Sequence, residues 1–576
     1  MTIINNFWKL LENKQKALFL IIIFLSLIQA FLEMIGIAAA IPFVTLLLNP
    51  DALAEIKIIS NFIDIEKYSV RGNLVIFFCG IFFLIFLIKN ILIFFTNKLI
   101  YYFVYSLRSK LFSNLMDKIL RQEYLFFVKK GISKIFNITF NEVNVFSMNC
   151  VLPLIILLTE LLVTTGIIFL VIITGNKDSL LLIIPILLFV VVLLKYVNRS
   201  IKKWANTRIE SNEKIINSNF NLVYGIKEIL LYGKIKDTLD QFNDSLHSLQ
   251  EIDLKNSTIT AIPKILLEQS VIFIFIIIII LMGYFGKTND QIIIVLSFYL
   301  AAAYRLVPSI NKIFVTYQQI KFGKPSIPKI MEFFRLKKND IYIDTPNSSQ
   351  PLNFEKFINL ENIKFNYEDR DDLFDEINLT INKNEIIGIN GESGSGKSTI
   401  INILTGLIKP REGKIIVDGQ VQDSPEKIRK YQNLFTITSQ DSYLLNGSIK
   451  ENIIFGSTAE PSNEKINQAI NFSCLQETIA DLPNGIESQV GHSLKQLSSG
   501  QKQRISIARS IYNNRSILIF DEATNALDEK NEKIIIENIK KLKGKKTIIV
   551  ISHNLENLKI CDRVFKLENK KLKIFN

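Results

Sequence analysis

The 576-residue sequence has little histidine, cysteine or charge, and each shortage excludes a class of protein. Three histidines, His247, His492 and His553, are too few for a multi-histidine metal centre. The four cysteines lie far apart without a CxxC pair, so neither a disulfide framework nor a zinc site is expected. Charged residues make up 21% of the chain and hydrophobic residues 49%, a balance that favours a membrane protein over a soluble one.

Long apolar segments instead crowd the first 320 residues. Each approaches or exceeds the roughly 20 residues that cross a bilayer core. Lysines before the first segment place the N-terminus in the cytoplasm, and an even number of spans returns the C-terminus to that side. Ala38-Ala39-Ala40 resembles a signal-peptide cleavage site, but the apolar stretch around it is too long for a signal peptide. We predict six spans, at about 17–48, 73–96, 151–174, 179–196, 265–286 and 291–313.

Basic residues exceed acidic ones, with 67 Lys and Arg against 54 Asp and Glu. Such an excess can indicate nucleic-acid binding, but cytoplasmic loops of membrane proteins are also rich in Lys and Arg. The spans therefore explain the charge, and no nucleic-acid partner is expected. The polar segments 97–148 and 197–262 are predicted to extend the spans into the cytoplasm. The stretch 50–72 is interpreted either as an amphipathic helix at the outer surface or as an ordinary loop.

The pattern changes at about Phe354, where apolar runs become short and glycines punctuate them. Strand-like runs alternate with helical stretches, which is typical of a soluble α/β domain. We therefore predict an α-helical transmembrane domain with six spans over residues 1–325, a linker over 326–353 and an α/β nucleotide-binding domain over 354–576.

A glycine-rich run in the second domain fits the phosphate-loop pattern G-x-x-x-x-G-K-[ST] and follows a strand-like stretch. Its backbone amides would face phosphate oxygens, Lys397 would reach the β- and γ-phosphates, and Ser398 would offer a hydroxyl to Mg²⁺. ATP and Mg²⁺ are therefore the expected ligands. The residues predicted to bind the nucleotide here are Gly391, Ser393, Gly394, Ser395, Gly396, Lys397, Ser398 and Thr399.

A second apolar strand, Ile517 to Phe520, ends in two carboxylates. Asp521 stands where a Mg²⁺-binding acid belongs, and Glu522 can polarise an attacking water as a general base. Without the phosphate loop, these acids would be interpreted as the solvated end of a strand.

The run Leu497-Ser498-Ser499-Gly500-Gln501 lies 24 residues before Asp521 and resembles the signature motif of ATP-binding cassette (ABC) proteins. Ser499 departs from that motif, since glycine is usual there. The resemblance covers about residues 355–570 and includes all the motifs expected of a cassette. It implies that Ser498, Gly500 and Gln501 contact an ATP molecule held by a partner subunit.

The same resemblance gives roles to residues outside the phosphate loop. It implies that Gln440 reaches toward Mg²⁺ and that His553 senses the γ-phosphate. The run Asn525 to Asp528 resembles the D-loop of the family, with asparagine where serine is common. Tyr367 resembles the aromatic residue that stacks on adenine, although a core tyrosine is the alternative. The loop that ends at His492 resembles one that contacts coupling helices, and no chemistry is assigned to it.

One cassette cannot complete a site shared between two, so we predict a homodimer in the lipid bilayer. The layout resembles bacterial type IV ABC exporters, and Gly225 to Gly233 falls where such exporters have a coupling helix; an exposed amphipathic helix would have the same pattern. The pair Glu522 and His553 favours real ATP hydrolysis over an ATP-gated channel or regulator. The chain is therefore predicted to be an ATPase coupled to transport across the bacterial cytoplasmic membrane.

Charged residues interrupt the spans, and each costs about 2.5–3.5 kcal/mol at a bilayer centre on insertion scales. One interpretation is internal pairing, for example of Glu33 with Lys89. The other is a basic belt around a substrate cavity, suited to phosphate. The residues predicted for this belt are Lys89, Lys264, Arg305 and Lys312.

Two stretches resemble the first and last spans of bacterial Pgl-type lipid-linked oligosaccharide flippases: Phe31 to Phe43 and Ala303 to Ile313. This resemblance implies that a polyprenyl-diphosphate oligosaccharide is moved to the outer leaflet for glycosylation. An exporter of lipid A, peptide or drug-like amphiphiles is the alternative. A peptidase domain for cleaving peptide leaders is not expected, because about 16 residues precede the first span.

Overall fold

The computed structural model describes residues 8, 11–39, 71–174, 180–284, 286, 289–342, 352–368, 371–457, 459–491 and 497–575. The chain divides into two compact units, which are described separately. The first unit comprises 1–120 and 130–336, and the second comprises 121–129 and 337–576.

Long helices form the first unit. Its α-helices are α1 Asn13–Ala38, α2 Arg71–Leu120, α4 Ile132–Phe136, α5 Val143–Val145, α6 Leu152–Thr174, α7 Leu180–Tyr224, α8 Ile226–Leu231, α9 Ile235–Tyr284, α10 Asn289–Gly323 and α11 Ser326–Phe334. The short helix α3 Tyr124–Lys130 lies between α2 and α4 in the sequence and belongs, except for Lys130, to the second unit. Two π-helical turns, Asn137–Glu142 and Phe146–Val151, separate α4, α5 and α6. The backbone hydrogen bonds of such helices stay within one segment, which is what a bilayer core requires.

Each predicted span overlaps one long helix: α1, α2, α6, α7, α9 or α10. Among the described residues, four stretches are long and apolar enough to cross a membrane: Asn13–Ala38, Cys79–Leu120, Ile132–Ile173 and Ile235–Tyr284. The count of six therefore stays a prediction. The outer stretch 50–70 and residues 175–179, which follow the third predicted span, lie outside the described residues.

The second unit consists mainly of three sheets and a set of shorter helices. The smallest sheet has only two short strands, Gly447–Ser448 and Gln489–Val490, which pair antiparallel. The strands are β1 Phe357–Phe365, β2 Phe374–Asn382, β3 Ile386–Gly391, β4 Glu412–Val417, β5 Gln420–Val421, β6 Phe435–Thr438, β7 Gly447–Ser448, β8 Gln489–Val490, β9 Ile517–Asp521, β10 Thr547–Ile551, β11 Arg563–Glu568 and β12 Lys571–Phe575. The helices are α12 Lys397–Leu404, α13 Pro425–Gln432, α14 Ile449–Ile454, α15 Asn463–Phe472, α16 Gln476–Ala480, α17 Ser499–Asn513, α18 Glu529–Lys540 and α19 Leu555–Leu558.

The largest sheet positions the site. Its strand order is β12-β11-β3-β10-β9-β6, and β11, β3, β10, β9 and β6 run parallel. These central strands are rich in buried isoleucine, as expected for a parallel sheet covered on both faces. The strand order in the four-stranded sheet is β2-β1-β4-β5, and all its pairs are antiparallel. The α/β cassette and the helical membrane domain that the sequence predicts are thus both confirmed as fold classes.

The segment Arg121–Lys129 belongs to the second unit although it follows helix α2 of the first. Leu125 packs against the hydrophobic core of the cassette, and Lys129 forms an ion pair with Glu368. The sequence did not single out this segment. The predicted linker begins with an ordered helix, α11, which belongs to the first unit; residues 343–351 lie outside the described residues.

Candidate functional site

The carboxyl edge of the large parallel sheet gathers most of the predicted site. Strand β3 ends at Gly391, β9 at Asp521 and β10 at Ile551, two residues before His553. Strand β6 ends at Thr438, so the exposed Gln440 follows it by two residues. Parallel strands present their carboxyl ends at one edge, which is where open α/β sheets bind ligands.

The phosphate loop connects β3 to α12 by a tight turn. Gly396 caps the helix with a φ of +106°, and a Cβ there would lie 2.9 Å from the Phe374 ring, so the position requires glycine. The Lys397 ammonium donates to the carbonyl oxygens of Gly391 and Glu392 at 2.8 and 3.0 Å. Lys397 is thus held in the loop itself, with its charge at the start of a helix that favours anions.

Four serine and threonine hydroxyl groups surround the start of α12. The Ser395 hydroxyl is buried without a hydrogen-bond partner, while Ser393 and Ser398 are exposed. The Thr399 hydroxyl pairs with the Tyr367 hydroxyl at 3.0 Å. Tyr367 is half-buried and packs edge-on against Phe365. These contacts fit both interpretations of Tyr367. The side chain is partly packed, as a core tyrosine would be, and it also lies beside the phosphate loop, as an adenine-stacking residue would.

Asp521 and Glu522 lie in different environments at the end of β9. Burial, and after it the neighbouring Glu522 charge, raise the pKa of Asp521 to about 6, although the positive charge of Lys397 acts to lower it. Glu522 is placed 3.9 Å from His553, measured from the Glu522 Oε1 atom to the His553 Nδ1 atom. The Asn525 amide donates to the other Glu522 carboxylate oxygen at 2.9 Å. The predicted acid pair and the histidine are therefore brought together.

The residues at this edge fit Mg²⁺. A carboxylate that is costly to ionise in a buried setting and an exposed serine hydroxyl are oxygen ligands of the kind Mg²⁺ prefers. Among the described residues, no cluster of three or more His, Cys, Asp or Glu side chains could hold a metal ion by itself. An ion at Asp521 and Ser398 would therefore draw its remaining ligands from water and phosphate, as Mg²⁺ usually does with nucleotides.

The signature residues begin helix α17. The Ser498 hydroxyl accepts from the Gln501 backbone amide at 3.2 Å, and the Gln501 side-chain oxygen accepts from the Ser498 amide at 2.9 Å. These two hydrogen bonds form a capping box, which uses the side-chain oxygen of Gln501. Ser499 is exposed, whereas Gly500 is buried against the carbonyl oxygen of Ala526.

Asp528 caps helix α18. Its carboxylate accepts from the Asn531 backbone amide at 3.1 Å and from the Asn531 side chain at 2.7 Å. The hydrogen bond from the Asn531 side chain lowers the pKa of Asp528. The described contacts of Asp528 are thus structural, and its nucleotide contact stays a prediction.

A cavity of about 630 Å³ lies among helices α1, α2, α6 and α10 of the first unit. It is polar for a membrane domain, because its lining includes three cations, two carboxylates and several amides. These lining residues include Gln29, Glu33, Lys89, Asn90, Asn97, Glu160, Arg305, Asn311, Lys312 and Gln319.

Ion pairs connect the charges of this cavity. Glu33 lies 3.5 Å from the Lys89 ammonium and 3.0 Å from the Arg305 Nε atom. Glu160 accepts from Lys312 at 2.9 Å and from the Ser309 hydroxyl at 2.8 Å, and lies 3.5 Å from Arg305. Internal pairing and a shared cavity, which the sequence offered as alternatives, therefore occur together.

Two family models match the chain. The model of the ABC transporter transmembrane region matches residues 19–304, and the ABC transporter model matches residues 374–525. The chain belongs to the ABC transporter family. An ABC transporter cassette implies an ATPase coupled to transport, and the prediction of such an enzyme is confirmed at this level.

A solved structure of similar fold is a bacterial Atm1-family ABC exporter with ATP bound. It matches with a TM-score of 0.73 at 20% identity, over 95% of this chain and 94% of that one. The fold is thus that of an ABC exporter half-transporter, a class that is typically dimeric in a membrane. The fold says nothing of the cargo.

Curated relatives match part of the chain. The uncharacterised ABC transporter ATP-binding protein YwjA of Bacillus subtilis is 34% identical over 46% of this chain and 45% of its own length. ABC transporter B family member 29, chloroplastic, of Arabidopsis thaliana is 34% identical over 49% of this chain and 44% of its own. The leukotoxin translocation ATP-binding protein LktB of Mannheimia haemolytica is 39% identical over 37% and 30%. The chain thus spans less than half the length of these relatives.

One member of the predicted basic belt lies elsewhere in this ABC transporter. Lys264 is exposed on α9, 4.0 Å from Glu268 one helical turn away, and does not line the cavity. Helix α9 packs against α7 and α10, whereas α1, α2, α6 and α10 enclose the cavity. Lys264 thus lies apart from this cavity in the single chain, and its place in the belt of the dimer stays a prediction. The belt is also not purely basic, because Glu33 and Glu160 are part of it.

Other predicted features lie outside the cavity and the nucleotide site. The coupling-helix candidate contains a short exposed helix, α8, which fits both interpretations that its sequence allowed. His492 lies outside the described residues. Gln503, which is buried beneath Glu522, was not among the predicted site residues, although its spacing from Gly500 and Ile507 on α17 places it on the buried face.

Proposed function

We propose that the chain is one half of a homodimeric ATP-driven exporter that moves a polyprenyl-diphosphate oligosaccharide across the bacterial cytoplasmic membrane. In this proposal both termini are cytoplasmic, and the cargo moves from the cytoplasmic to the outer leaflet. The observation that carries the ATP-driven part is the joint placement of Lys397, Asp521, Glu522 and His553 around one sheet edge.

Each residue at this edge has a proposed task. Lys397 and the loop amides bind the phosphates, and the free hydroxyl of Ser395 adds a donor there. Ser398, Asp521 and Gln440 would hold Mg²⁺, which would supply positive charge to neutralise the phosphate oxygens. Glu522 orients and deprotonates the attacking water, and His553 lies near enough to stabilise the same centre.

The homodimer follows from the composition of one chain. It has one phosphate loop and one signature, and the described contacts of Gly500 and Gln503 go to the 522–526 loop. The exposed Ser498 and Ser499 at the N-terminus of α17 are therefore free to meet a nucleotide on a second copy, with Gln501 holding the turn in shape. Twofold symmetry would then give two identical sites.

The charge of the cavity supports the proposed cargo. Lys89, Arg305 and Lys312 oppose Glu33 and Glu160, which leaves one excess positive charge in each chain. Two copies supply two such charges, which matches the two ionised oxygens of a diphosphate diester. Arg and Lys pair well with phosphate oxygens, and the amides around them suit sugar hydroxyls.

The hydrolysis proposal is tested by Glu522→Gln. We expect ATP turnover to fall by about a hundredfold or more, the usual scale for a positioned general base, while ATP stays bound. Glu529→Gln is the matched control, because Glu529 is an exposed glutamate paired with Lys533 on the next helix. Wild-type turnover in Glu522→Gln would refute the assignment of the base.

The cargo proposal is tested in proteoliposomes loaded with a diphosphate-linked oligosaccharide, lipid A or a peptide. We expect the first to be moved, and Arg305→Gln or Lys312→Gln to impair its movement more than basal ATP hydrolysis. Lys264→Gln is the matched control, since Lys264 lies outside the cavity. Movement of lipid A or peptide in place of the oligosaccharide would refute this cargo while leaving the ATPase proposal intact. The name of the leukotoxin relative makes the peptide a necessary comparison.

A further inference from the structure

The loop that carries Glu522 rests on the first turn of the signature helix within one cassette. A Cβ added to Gly500 would lie 2.7 Å from the carbonyl oxygen of Ala526, so the helix and the loop touch through backbone. The approach requires glycine, since any side chain there would push the loop away.

Gln503, one turn further along the helix, joins both ends of this loop. It is 2% exposed, and its side-chain amide donates to the carbonyl oxygen of Glu522 at 2.9 Å. Its side-chain oxygen accepts from the backbone amide of Ala526 at 3.2 Å. One buried side chain therefore fixes the residues at which the loop leaves the strand and turns toward α18.

Glu522 has an unusual backbone. Its φ is +50°, in the left-handed region that residues other than glycine rarely adopt. Such a conformation persists only where the surroundings hold it. Here both peptide groups of the residue are held. The Glu522 amide donates to the carbonyl oxygen of Ile551 at 3.1 Å, and the Glu522 carbonyl oxygen accepts from the Gln503 side chain at 2.9 Å and, at a longer 3.3 Å, from the Asn525 amide. These bonds fix the backbone from which the carboxylate projects, and the Asn525 side chain donates to the carboxylate itself at 2.9 Å.

We infer that Gln503 is a positioning residue for ATP hydrolysis, which holds the Glu522 backbone in the conformation that aims the carboxylate. This rests on the proposed role of Glu522 as the base. Because Gln503 lies on the helix that begins with Ser498 and Gly500, it also links the signature motif to the base of its own chain. A nucleotide that engages the signature would thereby act on hydrolysis at the other site of the dimer.

The test compares two variants of Gln503 in the full-length protein in lipid nanodiscs. Gln503→Met keeps the volume and removes both hydrogen bonds. Gln503→Glu keeps the acceptor for Ala526 but places a carboxylate oxygen against the Glu522 carbonyl. We expect both to lower kcat at least about tenfold with KM for ATP within about twofold, because a misaimed base weakens the transition state and not nucleotide binding.

Gln422→Met is the matched control, since Gln422 is also a buried glutamine of the cassette and donates to the carbonyl oxygen of Gln420. The kcat of Gln422→Met should stay within about twofold of the wild type, which would show that losing a buried amide is not by itself enough to lower turnover. Turnover is expressed per nucleotide-binding protein, titrated with a fluorescent ATP analogue, so that partly unfolded preparations do not mimic a lower kcat.

A double variant separates this inference from the function on which it rests. With Glu522→Gln already present, Gln503→Met should lower the residual turnover by less than about twofold, because the group it positions is gone. A further tenfold loss in that background, or an unchanged kcat in Gln503→Met or Gln503→Glu alone, would overturn the positioning role. Normal turnover in Glu522→Gln alone would instead refute the base, whatever the Gln503 variants do.

Discussion

The two carboxylates of the membrane cavity should contribute unequally to stability, and their glutamine variants test this. Glu33 is 5% exposed, and the two cations beside it, Lys89 and Arg305, are 11% and 17% exposed. Glu160 is similarly buried, but Lys312, its closest cation, is 55% exposed. Removing the Glu33 charge therefore leaves cations that cannot reach water, whereas Lys312 can.

The expected magnitudes follow from this difference. Leaving a buried charge without its partner costs about 3–5 kcal/mol, and Glu33→Gln should approach that range because Lys89 loses its carboxylate. Glu160→Gln should cost roughly 1–2 kcal/mol, because Lys312 is largely solvated and Arg305 keeps Glu33. Replacing both members of the first pair, in Glu33→Gln with Lys89→Met, should recover most of the loss, since neither charge is then left alone.

The assay is an unfolding titration of the purified protein with sodium dodecyl sulfate in mixed micelles, followed by far-UV circular dichroism. The midpoint for Glu33→Gln should lie well below that for Glu160→Gln, and the double variant should lie above Glu33→Gln. Equal midpoints for the two single variants, or a double variant less stable than Glu33→Gln, would refute the reasoning from burial.

Three further predictions concern the cassette. Asp521→Asn should raise the midpoint of thermal unfolding of the nucleotide-free protein at pH 7, because the raised pKa of Asp521 means that ionising this carboxyl opposes folding. The gain should shrink as the pH falls from about 6 toward 4, and an unchanged gain at pH 4 would contradict this reasoning. Gly500→Ala should lower ATP turnover about tenfold or more, because the added methyl group would displace Ala526. Ser499→Gly, at the exposed neighbouring position, should change turnover less than about threefold. Equal effects of the two variants in ATPase assays would contradict the close contact between Gly500 and Ala526. If the Tyr367 ring stacks on adenine, nucleotide titrations should show ATP affinity within about twofold of the wild type for Tyr367→Phe and about tenfold weaker for Tyr367→Ala. Equal losses of affinity in the two variants would instead indicate that the hydroxyl contact of Tyr367 with Thr399 matters.

The sequence predicted the cassette well because its signals are local. The phosphate loop needs glycine where φ is positive, as at Gly396, and it lies between a strand and a helix whose patterns differ plainly. Asp521 ends an apolar run, so its place at the carboxyl edge of a parallel strand follows from the strand itself. The sequence motifs do not reveal which residues Gln503 contacts, although its helical spacing from Gly500 predicts a buried position.

The membrane domain was predicted less completely because hydropathy locates a span without fixing its rotation. All four residues of the expected belt are basic and lie in or near spans, yet only three line the cavity. Lys264 is exposed on α9, which packs against α7 and α10, and no local sequence pattern predicts that packing. The acidic partners were visible as costly residues, but the network that joins Glu33 to Glu160 through Arg305 depends on the packing of three helices.

Glu33 and Glu160 are compatible with an anionic cargo, because the three cations of the cavity differ in their exposure and in their ion pairs. Lys89 is buried against Glu33 and over the ring of Phe86, so its charge mainly balances the cavity wall. Lys312 is largely exposed to the cavity, and Arg305 bridges both carboxylates through different nitrogen atoms. An arriving phosphate could therefore bind Lys312 and the unused face of Arg305 without leaving either carboxylate unpaired. The acids hold the cations in place at membrane depth, and the one excess charge in each chain remains available to the cargo.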